Sequence, residues 1–216
     1  MTFWRYLGRI KKADENNCQK NHINNCLEEK DIVRIIGGEA RGLRLKTLEG
    51  DATRPTRDFV KESLFNIISM YIQDKTVLDA FAGSGALGIE SLSRGAKEAV
   101  FLDMRKESCK IIEENIKFAK MEERADILCV DALKAEIYDR FKKNKFDLIF
   151  LDPPYEKDYI LKMLDLMMLK ELFSEEALII AEHGSEEVLP DKVGLFSVFK
   201  KKKYGATAIT IYEIKI

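Results

Sequence analysis

The chain has no apolar run approaching the eighteen or so residues that a membrane span requires. Its apolar runs are short, residues 148–151 for example, and suit buried strands. Cysteine is scarce: four residues in a chain of 216 do not make a disulfide scaffold. Cys109 and Cys129 fall inside apolar-periodic segments and read as small core residues. Arg5, Arg9, Lys11 and Lys12 lie near the start, but residues 1–18 hold no apolar stretch of signal-peptide length, so a cytoplasmic location is expected. Net charge is also lacking. The 36 basic and 37 acidic residues leave a formal −1, which taken whole argues against a nucleic-acid partner. What is present is a hydrophobic fraction of 46%, too high for wholesale disorder, in a length that fits one domain with at most a small appendage.

Divided by region, the charge is not neutral. Residues 33–57 hold six basic side chains (Arg34, Arg41, Arg44, Lys46, Arg54, Arg57) against three acidic ones, whereas residues 58–216 hold 24 basic and 29 acidic. A basic strip therefore precedes an acidic body, and a second basic run follows at 200–203. Such strips bind phosphates, or are simply solvated faces. Residues 1–32 differ again. Asn16, Asn17, Asn21, Asn24 and Asn25 crowd a segment with little periodicity, which reads as a disordered extension. Cys18, His22 and Cys26 are evenly spaced, but three ligands without a second pair do not complete a tetrahedral site, and no metal is expected. Three parts follow: an extension at 1–32, a basic β-hairpin arm at 33–57 and a main domain at 58–216.

From Arg34 onward the pattern is orderly. Residues 33–36 and 43–48 flank a Gly37-Gly38 turn and read as a short hairpin. Val60, Leu64, Ile67, Ile68 and Tyr71 mark one face of a helix over 59–72. Strands at 77–81, 99–103, 127–130, 147–151 and 178–182 then alternate with helices at 86–94, 107–119, 133–141 and 159–169. Apolar strands without strict polar alternation, separated by helices, imply a parallel sheet covered on both faces. The end differs: 195–201 and 206–214, joined by a Tyr204-Gly205 turn, read as an antiparallel pair.

Two segments carry chemistry. In residues 77–88 a strand runs into a turn that opens a helix, with Gly83, Gly85 and Gly88 at GxGxxG spacing. Glycines allow a tight turn and close backbone approach to a ligand, and the helix N-terminus offers unpaired N–H groups. Asp103 follows Gly83 by 20 residues at the end of the next strand, where a carboxylate can accept both ribose hydroxyls. These features fit a nucleoside-containing cofactor, NAD or S-adenosylmethionine. Asp79 favours the second, because a carboxylate suits a cationic methionyl group and repels a pyrophosphate.

The second segment is Asp152-Pro153-Pro154-Tyr155, at the carboxyl end of a buried strand and beside the first. The exocyclic amine of a nucleobase is a poor nucleophile, since its lone pair is delocalised into the ring. The Asp152 carboxylate and the Pro153 carbonyl can accept its two N–H bonds, which favours charge building on nitrogen during attack on a sulfonium methyl. Prolines stiffen the loop. Tyr155 can stack on the base.

Asp152–Tyr155 matches the (Asp/Asn)-Pro-Pro-(Tyr/Phe) signature of amino-methyltransferases. Over residues 34–216 the chain further resembles the bacterial 16S rRNA guanine-N2 methyltransferases of the RsmD type. The similarity is carried by residues 34–42 (RIIGGEARG), Arg54-Pro-Thr56 with 61–66 (KESLFN), Asp79–Gly88, Asp152–Tyr155 and Tyr204-Gly-Ala-Thr207. The resemblance implies a Rossmann-like class I methyltransferase fold: a seven-stranded, mostly parallel sheet with a C-terminal antiparallel hairpin and a small N-terminal β-hairpin. It implies S-adenosylmethionine as cofactor, held by Asp79, Phe81, Gly83, Gly85, Asp103 and Asp131, with Asp131 at the adenine amine. Asp131 also reads as a helix N-cap, and both roles are compatible. The implied substrate is one guanine of 16S rRNA, in a small-subunit assembly particle, with Asp152, Pro153, Pro154 and Tyr155 at the base and Arg34, Arg41, Arg54 and Arg57 at RNA phosphates. A monomer is expected. His183, with no visible catalytic partner, reads as structural. Since family members begin near Arg34, residues 1–32 lie outside the resemblance, and synthesis is expected to start at Val33.

Three rivals share parts of this pattern. DNA adenine-N6 or cytosine-N4 methyltransferases use the same loop but need a separate recognition domain of ~100 residues, for which the chain has no room. Protein glutamine methyltransferases have Asn where this chain has Asp152. A non-catalytic assembly factor would not need the intact Asp152–Tyr155 segment.

Overall fold

A computed structural model describes residues 33–48, 55–141, 145–154 and 158–215. Expectations for residues 1–32, Arg54, Tyr155 and the side chain of Arg57 fall outside the described residues. Ten strands and four α-helices alternate along the described residues: β1 (Val33–Arg34), β2 (Arg44–Leu45), α1 (Pro55–Ile67), β3 (Thr76–Asp79), α2 (Ala86–Ser93), β4 (Glu98–Asp103), α3 (Lys106–Ala119), β5 (Ala125–Cys129), β6 (Phe146–Leu151), α4 (Tyr159–Lys170), β7 (Phe173–Gly184), β8 (Lys192–Val193), β9 (Phe196–Tyr204) and β10 (Thr207–Ile214). The main sheet runs in the order β5-β4-β3-β6-β7-β10-β9-β8. Its first five strands are parallel and the last three antiparallel.

The chain enters this sheet at β3, winds outward through β4 and β5, then returns to β3's other side with β6. That reversal opens a crevice at the carboxyl ends of β3, β4 and β6, where open α/β sheets bind their ligands. The short apolar strands follow from burial on both faces. Val77, Phe101, Leu148 and Phe150 face one core with Leu64, Phe65, Ile89 and Ile112. Leu78, Leu102, Ile149 and Leu151 face the other with Ile160, Met163 and Met167.

The N-terminal arm is fastened to α2 by polar groups. Glu90 is fully buried, and its carboxylate accepts the backbone N–H of Ile36 (2.7 Å) and Gly37 (2.8 Å) and the Arg94 Nε–H (2.7 Å). Lys61 Nζ stands 3.6 Å from the same carboxylate and donates to the Arg34 carbonyl. Burial holds the Lys61 ammonium below its usual range, against the raising effect of Glu90. Ser93 completes the fastening, donating to the Gly37 carbonyl at 2.6 Å and accepting from the Ala40 N–H at 2.9 Å. Gly38 has φ +79°, and a Cβ there would lie 1.8 Å from the Ser93 carbonyl oxygen, so only glycine fits. Removing one member of a buried ionic cluster strands the others. Glu90→Ala is therefore expected to lower unfolding free energy by about 3–5 kcal/mol. Urea denaturation followed by circular dichroism measures it.

Several elements depart from the sequence pattern. The sheet has eight strands rather than seven; β8 is two residues long and pairs with Ser197 and Phe196, too short to leave a periodicity. The hairpin arm is also shorter than 33–36 and 43–48, because Ile36 and Gly37 give their N–H groups to Glu90 instead of a neighbouring strand. Residues 133–141, expected as an α-helix, form a 3-10 helix at Ala135–Phe141. The bonds from Lys134 N–H to the Asp131 carbonyl and from Ile137 N–H to the Lys134 carbonyl span three residues and tighten the winding. The helix expected at 59–72 begins at Pro55 and ends at Ile67, followed by a 3-10 turn at Ser69–Tyr71. Proline at its first position fits, since its missing N–H would have no partner there. Cys129 is exposed, not a core residue, because β5 is the outer strand and Cys129 its last residue. Cys109 is only partly buried, with Sγ 3.4 Å from the Asp103 carbonyl.

Candidate active site

Three carboxylates converge on the crevice. The parallel register sets Asp79 level with Phe101 of β4 and Phe150 of β6. Asp103 and Asp152 therefore lie two residues beyond Asp79 on the two flanking strands. Side-chain alternation turns all three to the sheet face covered by α2 and α3. β3 ends first, so Asp79 forms the floor of a notch between the other two acids.

Asp79 is 2% exposed and accepts the Gly88 N–H at 3.0 Å. Burial pushes its carboxyl up to about 7; the Gly88 bond opposes this, and the charges of Asp152 and Asp103 add to it. Asp103 accepts the Gly83 N–H at 2.9 Å on one oxygen and the Arg105 N–H at 2.8 Å on the other. The Arg105 guanidinium Nε is 3.4 Å from that second oxygen. A notch lined by these carboxylate acceptors suits a cation, best one that carries its own hydrogen-bond donors.

The glycine turn shapes the wall of the notch. Gly83 (φ +55°) and Gly85 (φ +78°) are left-handed, and Gly85 is the N-cap of α2. A Cβ on Gly88 would come within 2.2 Å of the Phe101 ring, so the helix can approach β4 only because this position has no side chain. Asn115 of α3 pins the turn from outside. Its amide donates to the Ser84 carbonyl (2.9 Å) and the Lys46 carbonyl (3.0 Å), and its oxygen accepts the Lys46 N–H (2.8 Å). Neither Asn115 nor Glu90 stands out in sequence, although each is a large polar side chain among buried helix residues: Asn115 beside Ile112 and Ile116, Glu90 beside Ile89 and Leu92.

The other residues fall as follows. Asp131 Oδ1 accepts the Leu133 N–H at 3.0 Å in the turn after β5; the 3-10 helix starts only at Ala135, so Asp131 is not its N-cap. Phe81 lies on the opposite side of the crevice mouth and stacks on Tyr159, centroids 6.2 Å apart at 9°. Pro153 is buried, whereas Pro154 is exposed and Asp152 half-buried. His183 is buried and bonded through Nε2 to Thr210 (2.9 Å) and through Nδ1 to the Gly184 carbonyl (3.0 Å), a link between β7 and β10. Arg34 and Arg41 do not gather at the notch: Arg34 stands 3.9 Å from Asp58, and Arg41 lies exposed in the hairpin turn. Among the described residues, no group of three or more His, Cys, Asp and Glu side chains is placed to hold a metal ion, and no helix is long and apolar enough to cross a membrane.

Comparison with known proteins gives a consistent picture. The family described as "Conserved hypothetical protein 95" matches residues 33–213. The chain is 34% identical over 187 residues to ribosomal RNA small subunit methyltransferase D of Haemophilus influenzae, an alignment covering 85% of this chain and 95% of that protein. It is 33% identical over 181 residues to the protein of the same name from Escherichia coli strain K12, covering 84% and 89%. A solved structure from Escherichia coli, described as a methyltransferase named yhhF, has a TM-score of 0.71 at 31% identity and covers 85% of this chain and 98% of its own. The expected fold class is thus the observed one, and the chain belongs to the RsmD-type methyltransferase family.

Proposed function

We propose that the protein transfers a methyl group from S-adenosylmethionine to the exocyclic N2 amine of one guanine in 16S rRNA. The observation that carries this reading is the acidic notch, with Asp152 on one wall, Asp103 on the other and Asp79 at its floor. The named relatives support the RNA class of substrate. S-adenosylmethionine, when bound, supplies an electrophilic methyl group on a positively charged sulfur.

The residues present fit that molecule. Asp79, with the turn at Gly83 and Gly85, would hold its cationic amino-acid end; the Asp79 carboxylate is buried beside two other acids and gains from a neighbouring cation. Asp103 would accept the ribose hydroxyls, exchanging its bond to Gly83 or Arg105 for them. Asp131, after β5, would receive the adenine amine through the oxygen not bonded to the Leu133 N–H. Phe81 contributes an apolar wall.

On the substrate side, Asp152 and the Pro153 carbonyl accept the two N–H bonds of the guanine amine. This orientation aims the nitrogen lone pair into the notch and stabilises positive charge as it develops on nitrogen. The amine loses its proton after the new C–N bond forms, when it is far more acidic, so Asp152 need not be a strong base. Tyr155 would stack on the extruded base, and Arg34, Arg41, Arg54 and Arg57 would contact phosphates. The arm at 33–57, the main domain at 58–216 and an appended 1–32 are the division this reading assumes.

The test is transfer of labelled methyl from S-adenosylmethionine to small ribosomal subunits from a strain lacking this gene. Label in 16S rRNA is expected; label in DNA or protein and none in rRNA would reject the reading.

A further inference from the structure

The carboxyl edge of the sheet continues past the notch to an aromatic pair that the mechanism above does not use. Leu151 of β6 is in register with Ala181 of β7; Gly184, three residues further, pairs with Thr207 of β10, which pairs with Tyr204 of β9. Tyr204 therefore lies at the same end of the sheet as Asp152, three strands away, or about 14 Å across. Thr207 shares a face with Ile209 and Ile211 of the core beneath α1, so Tyr204 points to the α1 side. There its hydroxyl is hydrogen-bonded to the Ser63 hydroxyl at 2.6 Å, which fixes the ring. Against it stands Phe59, at 6.0 Å and 80°, with 62% of its surface exposed.

Isolated exposed hydrophobics are ordinary on protein surfaces, and Met70, Leu169 and Val188 are of that kind. Phe59 differs in its setting. It leans edge to face on a tyrosine that is itself held by a hydrogen bond, and two lysines of β9 share that tyrosine's face. Lys202 pairs with Ile209 and Lys200 with Ile211, so both project to the same face as Tyr204, and neither makes an ion pair among the described residues. The alternate lysines are occupied on the other face, Lys201 by Asp191 (2.8 Å) and Lys203 by Glu186 (3.0 Å). Arg34 lies by Asp58, the residue before Phe59.

We propose that Phe59, braced by Tyr204 and flanked by Lys200 and Lys202, is a stacking platform for an unpaired nucleotide near the target base in the RNA substrate. A rigid exposed ring offers a π-face to any base, and lysines beside it take the flanking phosphates. Phe59 is a positioning residue: it holds the strand, not the reacting amine. The inference rests on the proposed RNA methyltransferase reading and locates part of its substrate track.

The test uses the full chain and small ribosomal subunits from a strain lacking this gene. Phe59→Ala is expected to raise KM for the subunits about tenfold with little change in kcat, in S-adenosylmethionine affinity or in melting temperature, and Phe59→Tyr to restore KM. A direct readout is Phe59→Trp combined with Trp4→Phe, which leaves one indole in the chain. Its fluorescence should be quenched by a single-stranded oligoribonucleotide and recover with added salt. Wild-type KM in Phe59→Ala, or an unquenched indole with saturating RNA, would overturn the platform while the wild-type enzyme still methylates rRNA. A wild type that transfers no methyl to RNA would instead remove the reading beneath it.

Discussion

Asp152→Ala is expected to reduce methyl transfer by about a thousandfold while leaving S-adenosylmethionine affinity within a few-fold of wild type. The size follows from the role proposed for the carboxylate: accepting one N–H of the target amine and facing the positive charge that appears on nitrogen only as the methyl group is transferred. Removal of one preorganised group of this kind costs about 10²–10³ in rate, and the charged character of Asp152 places the effect at the upper end. Asp152→Asn retains a carbonyl acceptor without the charge and should fall between the two. The separation from binding is geometric, since Asp152 stands on the β6 wall of the notch while Asp79 forms its floor and Gly83 and Asp103 the opposite, β4 wall. Single-turnover transfer to small subunits, with calorimetric titration of the cofactor, measures both quantities. Near-normal turnover in Asp152→Ala would remove the residue from the chemistry.

A second large effect is expected at Asp79. Burial and the neighbouring acids push its carboxyl up to about 7 in the free protein, from an ordinary 3.8. A bound cation favours the ionised form and draws this value back down, so cofactor binding below neutrality must release a proton. Affinity should accordingly fall close to tenfold per pH unit between pH 7 and 5.5 and level off above 7. Below pH 7.5 the cofactor's own amino group stays largely protonated, so it does not confuse the trend. Stability of the free protein runs the other way. A carboxyl whose folded-state value is raised contributes stability at low pH that is lost as pH rises from about 4 through about 7, worth roughly 4 kcal/mol for this shift. Asp79→Asn keeps an acceptor for the Gly88 N–H and removes the titration. The variant should melt higher than wild type at pH 8 without cofactor, bind S-adenosylmethionine at least tenfold more weakly there, and show little pH dependence. Calorimetry and thermal melts across the pH series check all three. An affinity for the wild type that does not change between pH 5.5 and 7.5 would mean that Asp79 is not the cation's partner.

Most of the notch could be read from the chain because its geometry is local. A parallel strand buried on both faces declares itself by a short apolar run, and the acid that follows such a run is at the carboxyl edge by construction. Asp103 and Asp152 were placed in this way, and Asp79 by the glycine turn that begins one strand-end later. The residues that hold the frame were not legible. Glu90 and Asn115 are buried polar side chains of two helices, and their partners, Ile36, Gly37, Lys46 and Ser84, lie 31 to 69 residues away. No periodicity links such distant groups. The same holds for Lys61, whose partners, the Arg34 carbonyl and Glu90, lie 27 and 29 residues away. The 3-10 turn at Ala135–Phe141 had the composition of an α-helix and was wound differently by the tight bonds at Asp131 and Lys134.

Charge is a case where the structure refines the sequence pattern without reversing it. Residues 33–48 of the basic strip are anchored by the Glu90 carboxylate and the Asn115 amide, so their backbone is part of the main body rather than a free arm. Lys46 is also spoken for, at 2.7 Å from Glu114. Lys200 and Lys202 stand on the α1 side of β9 while their neighbours pair with acids on the other. A net charge near zero is thus the sum of an acidic notch, which needs a cation, and basic margins, which suit a phosphate chain.

The central claim is the identity of the methylated atom. It is tested most directly by incubating the protein and isotopically labelled S-adenosylmethionine with small ribosomal subunits from a strain lacking this gene, then digesting the 16S rRNA to nucleosides for mass spectrometry. The account predicts label in N2-methylguanosine alone, from a single position. Label in N6-methyladenosine or N4-methylcytidine, or none in the RNA, would contradict it.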